Sequence, residues 1–154
     1  MKELIGTPGT ITGFILRTFQ CVFAAASIST MFSADGFSNY TAFCYLLAAM
    51  GLQLLWSLIL ACFDIFALTS KRDIRNAVFL SLFAVGDWVT AMLTLAAACS
   101  SAGIAVLLAR DLHFCTGKAR LACYKFELSV LCAFMTWFLV ATSSHLLFWI
   151  MASV

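Results

Sequence analysis

The chain has 154 residues, of which 64% are hydrophobic and only 10% charged, with a mean hydropathy of +1.04 and a formal net charge of +2. An ordinary soluble domain is about 25% charged, so this chain cannot bury its apolar surface and still show water a polar exterior. High hydrophobicity with little charge also excludes a disordered chain, which leaves an integral membrane protein with room for one small bundle.

A membrane helix needs about 20 mostly apolar residues to cross a hydrocarbon core of about 30 Å. Four segments meet that length, approximately 11–32, 42–68, 77–103 and 126–152, within one four-span domain over residues 1–154. They are long apolar runs without two-residue alternation, so the expected fold is all-α, an antiparallel four-helix membrane bundle, not a barrel. Ahead of the first span, Gly6-Thr7-Pro8-Gly9-Thr10 reads as a turn, with Thr7 or Thr10 available as a helix cap. This stretch has no apolar core of its own and is not expected to be a signal peptide. The apolar run of the third span continues to Leu108, which exceeds one crossing. The membrane exit is expected near Ser100, Ser101, Ala102 and Gly103.

Four spans put both termini on one face. Lys2, Lys71, Arg72 and Arg75 lie on that face, against Arg110, Lys118, Arg120 and Lys125 on the other, with Arg17 adding one to the first set. The dense 71–75 cluster, directly against two spans, favours cytoplasmic termini. Cys115 and Cys123 flank one polar loop, and a disulfide between them suits the oxidising side; two free thiols are the other reading. Asn39-Tyr40-Thr41 is an N-glycan sequon in the first loop, close to the membrane surface, where a glycan is hard to attach.

Arg17 and Asp87 interrupt the first and third spans. A mid-span charge costs about 2.5–3.5 kcal/mol on insertion scales and usually faces the bundle interior with a partner. At 1.5 Å per residue the two lie roughly 9 and 15 Å deep, a difference an arginine side chain can cover. Two readings follow, a structural clasp or part of an ion or proton path. Asp64 is a rival partner for Arg17, or an interfacial charge paired with Lys71 or Arg72. Asp87, Ala91, Thr94, Ala98 and Ser101 share one stripe of the third span, and Gln53, Ser57 and Asp64 share one of the second. Ser129, Cys132, Thr136 and Ser143 do the same on the fourth. Such small or polar stripes suit close helix packing in lipid, inside the bundle or against neighbours in an oligomer. Trp88, beside Asp87, is expected to pack, and Trp149 to anchor at the interface.

The remaining chemistry is sparse. There is no CxxC, phosphate loop, GxSxG or HExxH, and His113 and His145 fall on opposite sides of the membrane. No catalytic, cofactor-binding or metal site is expected, and the basic loops are too short for nucleic acid. The expected partner is the lipid bilayer.

Five stretches carry a likeness: GTPGTITGFILRTFQCVFAAAS, GFSNYTAFCYL, VGDWVTAMLTLAAACSSAG, FELSVLCAF and SSHLLFWIMAS. Together they resemble the short-tailed plant CASP-like proteins, relatives of the Casparian strip membrane proteins and, more distantly, of MARVEL domains. That family has a basic residue in the first span and an acidic residue in the third, which Arg17 and Asp87 match. The resemblance implies a non-enzymatic plasma-membrane scaffold with cytoplasmic termini and homo- or hetero-oligomers. A transporter, channel or channel-accessory role using Arg17 and Asp87 is the alternative. The first loop, 33–41, lacks the signature of the true Casparian strip proteins, so the scaffold class carries over and the strip-building task does not.

Overall fold

In the computed structural model, which describes residues 9–70 and 76–153, the four apolar runs are four long helices. Helix α1 spans Ile11–Phe32 and α2 spans Thr41–Ser70. Helix α3 spans Ala77–Val106 and widens into a π-helical turn over Leu107–Asp111, and α4 spans Arg120–Ser153. All four are long and apolar enough to cross a membrane, and no strand occurs among the described residues. Thr10 caps α1, its side chain accepting from the Gly13 amide at 3.3 Å. The other candidate cap, Thr7, lies outside the described residues, as do Lys2, Lys71, Arg72 and Arg75.

Two helices run beyond the spans expected from the sequence. Helix α3 runs unbroken through Ser100–Gly103, because Ser100 donates to Ala97 O and Ser101 to Ala42 O, so the hydroxyls are satisfied without leaving the helix. Helix α4 begins six residues early, at Arg120, and Cys123 is a buried residue of the helix, not of the loop.

Cross-helix contacts fix the direction of each helix. As numbers rise along α1 (Gly9, Gln20), they fall along α2 (Asp64, Ser57). The same inversion relates α1 to α4 (Gln20 to Leu139, Ser27 to Ser129) and α2 to α3 (Trp56 to Asp87, Ala42 to Ser101). Helix α1 packs on α2 and α4, and α3 packs on the same two, so α1 and α3 form one diagonal and α2 and α4 the other. The start of α1 and the end of α4 therefore share one end of the bundle (the terminal end). The 33–40 and 112–119 connections share the other (the loop end).

The interior is inverted relative to a water-soluble protein. Arg17, Gln20, Ser27, Gln53, Ser57, Asp87, Thr94, Ser101, Ser129 and Thr136 are buried, while Ile11, Leu55, Val78, Leu82, Phe138 and Trp149 are exposed. Lipid solvates these apolar side chains but leaves polar groups without partners, so the polar groups turn inward. The apolar part of the core falls into two clusters. Met31, Phe43, Met50, Leu108, Phe126 and Ala133 belong to the loop-end cluster. Leu60, Phe83, Ala84 and Leu147 form the terminal-end cluster.

Candidate functional site

Between those clusters lies a layer of hydrogen-bonded polar side chains contributed by all four helices. Its centre is Asp87, which is fully buried on α3. Arg17, on the diagonal partner α1, meets it with both guanidinium nitrogens, Nη1 to Oδ1 at 2.8 Å and Nη2 to Oδ2 at 2.6 Å. From α2, Trp56 Nε1 donates to Oδ1 at 2.9 Å; from α4, Ser143 Oγ donates to Oδ2 at 3.1 Å. A carboxylate offers about four acceptor positions, and these four donors fill them. Every other helix of the bundle thus supplies Asp87 with at least one donor. The parallel two-bond geometry is the strongest that a guanidinium and a carboxylate can form, which suits a site where water cannot substitute.

Gln20, one helical turn beyond Arg17, extends the layer. Its Oε1 accepts from Arg17 Nη1 at 3.3 Å and from Ser57 Oγ at 3.0 Å, and its Nε2 donates to Leu139 O at 3.3 Å. Gln53 Nε2 in turn donates to Ser57 Oγ at 2.8 Å. Among the described residues, two buried polar atoms have no partner, Gln53 Oε1 and Ser144 Oγ. Most other in-span hydroxyls, such as Thr18, Thr90, Thr94 and Thr136, bond to carbonyls of their own helix, which hides them from lipid. Ser27 and Ser129 instead bond across α1 and α4, each hydroxyl donating to the other's carbonyl at 2.9 and 2.8 Å.

Gly86 makes the Trp56 contact possible. A Cβ at this position would sit 2.1 Å from Trp56 Cζ2, so only glycine lets the indole lie against α3 and reach Asp87. Trp56 and Gly86 were not legible as members of the site, although Gly86 directly precedes Asp87 and Trp56 directly precedes Ser57. The tryptophan expected to pack here, Trp88, is half-exposed on the outer face. Cys132 also leaves its expected stripe and is only partly buried.

Asp64, expected at the interface and on one stripe with Gln53 and Ser57, faces into the bundle. Its side chain is buried, 5% exposed, and accepts from the Gly9 amide at 2.8 Å where the turn before α1 folds onto α2. Asp64 and Arg17 do not bond but line the same small cavity, with Gly13, Leu60, Phe83, Ser143 and Leu147. Lys71, Arg72 and Arg75, the expected interfacial company of Asp64, lie outside the described residues.

At the loop end, Cys115 and Cys123 are joined as a disulfide, with Cα atoms 5.8 Å apart, tying the loop to the first turns of α4. Asn39 is exposed in a short helical turn, Phe37–Asn39, two residues ahead of Thr41, the first residue of α2. Lys125 reaches back to Ser33 O and links α4 to the end of α1. No group of three or more His, Cys, Asp or Glu that could hold a metal occurs among the described residues.

Comparison with known proteins gives this arrangement a family. The Casparian strip membrane protein domain matches residues 6–139. CASP-like protein 5B3 of Oryza sativa subsp. japonica is 58% identical over 154 residues, covering all of both chains. CASP-like protein 5B2 of Arabidopsis thaliana is 56% identical over the same length, again covering all of both chains. CASP-like protein 5B1 of Arabidopsis thaliana is 58% identical over 151 residues, 98% of this chain and 99% of its own. No solved structure matches the chain. A family match over most of the chain and full-length relatives at this identity make it a multi-pass membrane protein that belongs to the Casparian strip membrane protein family, among its plant CASP-like members.

Proposed function

We propose that the chain is a non-enzymatic scaffold of the plasma membrane, with cytoplasmic termini, that self-associates or co-assembles with related four-span proteins to organise a membrane patch. The observation that carries this reading is the destination of the polar groups. Asp87, Arg17, Gln20 and Ser57 spend their hydrogen bonds on one another inside the bundle. The outer surface is left to side chains such as Phe19, Leu55, Leu82 and Phe138, which can meet lipid or a neighbouring span equally well. The internal layer then keeps each bundle rigid, and the apolar exterior is free for lateral contact.

The disulfide at the loop end supports an oxidising environment there, and so cytoplasmic termini. Asn39 of the sequon lies at the same end, close to the membrane surface, where a glycan is hard to attach. Lateral mobility of the tagged protein in cells, together with in-membrane cross-linking, tests the scaffold. Slow diffusion and cross-linked multimers are expected. Diffusion as fast as an unrelated monomeric four-span protein, with only monomer after cross-linking, would sink it.

A transporter, channel or channel-accessory role is the second reading, and one observation favours it. The cavity beside Arg17, Asp64 and Ser143 has about 10 Å³ of accessible space, close to the ~10–15 Å³ that one water needs. Proton or ion flux into liposomes, abolished by Asp87→Asn in protein that still assembles, would establish this role in place of the first.

A further inference from the structure

The cavity of about 10 Å³ lies on the terminal side of the Asp87 layer, and all four helices line it at one level. Gly13, Phe83 and Leu147 stand one helical turn from Arg17, Asp87 and Ser143, each displaced toward the terminal end, and Asp64 stands one turn from Leu60 in the same direction. A helical side chain leans toward the N-terminus of its own helix. Arg17 on α1 therefore leans toward the terminal end. Asp64, on the antiparallel α2, leans toward the loop end, so the two converge on the cavity from opposite levels. Gly13, buried in α1 and without a side chain, leaves the space between them open.

The polar groups that line this space have hydrogen bonds still to make. A guanidinium carries five N–H groups. Arg17 spends Nη1 on Gln20 and Asp87, and one N–H of Nη2 on Asp87. Its Nε–H and the other Nη2–H share one edge of the guanidinium and meet no acceptor among the described residues. Asp64 accepts from the Gly9 amide through Oδ1, while its Oδ2 meets no donor among the described residues. Ser143 donates to Asp87, and its lone pairs remain free to accept. We infer that the cavity binds one water molecule, which accepts from the unused edge of Arg17 and donates one hydrogen to Asp64 Oδ2 and the other to Ser143 Oγ. Buried waters make about three such bonds, and ~10–15 Å³ holds one. The charges select a neutral guest, because the guanidinium edge repels a metal cation and the Asp64 carboxylate repels an anion. The volume excludes anything larger. The water makes Arg17 the partner of both carboxylates, Asp87 directly and Asp64 at one remove, and so ties the turn at Gly9 to the central layer. The site closes on groups of the bundle itself and does not depend on any ion crossing it.

The test is solid-state NMR on the full-length, isotope-labelled protein in phosphatidylcholine vesicles. Magnetisation transferred from water should reach Arg17 Nε strongly, while Trp56 Nε1, spent on Asp87, should receive little. Asp64→Asn should keep the transfer, because an amide oxygen still accepts. Gly13→Ala should reduce it to the level of Trp56 Nε1, because the new methyl group takes the space. Asp64→Leu should do the same, since its side chain adds volume and accepts nothing. Weak transfer to Arg17 Nε in the unaltered protein would overturn the inference. So would transfer that survives undiminished in Gly13→Ala or, should that variant not fold, in Asp64→Leu. A distance between Arg17 Nη2 and Asp64 Cγ as short as that of a direct ion pair, measured by dipolar recoupling, would leave no place for the water and equally overturn it. Resistance to SDS-induced unfolding that rises when sodium replaces choline in the buffer, and does not rise in Asp64→Asn, would assign the cavity to a cation instead.

Discussion

Nearer the terminal end, the bundle closes the diagonal between α1 and α3 through Arg17 and Asp87. Toward the loop end, the opposite diagonal, between α2 and α4, closes through Phe43 and Phe126, whose rings stack with centroids 4.5 Å apart and planes 22° from parallel. In lipid neither contact gains much from hydrophobic transfer, since acyl chains solvate a phenyl ring well. The stacked rings hold by dispersion and ring electrostatics, which tolerate another apolar side chain of similar volume. The polar contact is directional, and each partner lost leaves another buried group unsatisfied. One bundle thus has a forgiving end and an exacting middle, and the exacting middle sets which residues of the four helices must lie level.

The sharpest way to break this contrast is to remove one member of the pair. Asp87→Leu should destabilise the bundle by about 3–5 kcal/mol, because it strands a buried guanidinium. Joining it to Arg17→Leu should recover much of that loss. Resistance to SDS-induced unfolding, compared across the two single variants and the double, measures both. Additive losses in the double would show that the charges act independently and would undo the contrast.

Gly86→Ala comes next, at about 1–3 kcal/mol, because the new methyl overlaps the Trp56 indole. Truncating the indole with Trp56→Ala should make Gly86→Ala nearly harmless, so the same unfolding assay on the double variant should give non-additive losses. At the forgiving end, Phe126→Leu should cost about 1 kcal/mol of ring–ring contact beyond its area. A loss as large as that of Asp87→Leu would mean the two ends are equally strict. Smallest of all, Ser27→Ala should cost about 0.6 kcal/mol, the average for an interhelical hydrogen bond in lipid. Cross-linking between cysteines introduced into α1 and α4 would report whether their spacing changes.

The four apolar runs were readable because membrane crossing needs only length and composition, and both are local. Arg17 and Asp87 stood out for the same reason, since a charge inside an apolar run is visible without a fold. Their company was not visible. Gln20 is an ordinary polar residue until Ser57 and Leu139 O are brought beside it. Trp56 and Trp88 have similar local surroundings, each near a polar residue in an apolar run. Only the rotation of α2 and α3 about their axes turns Trp56 toward Asp87 and Trp88 outward. Asp64 was visible as a charge near the end of its span, but its partner, the Gly9 amide, appears only when the turn before α1 folds onto α2.

By itself, then, the sequence determined that the chain spans a membrane as four helices with a charge in the first and third, because burial in lipid is decided residue by residue along the chain. Only the tertiary structure decided that Asp87 collects donors from three other helices, that Gly86 admits an indole, and that Arg17 and Asp64 line one cavity. Those facts depend on helix rotation and level. These are set by the mutual fit of all four helices, which no single segment of the chain contains.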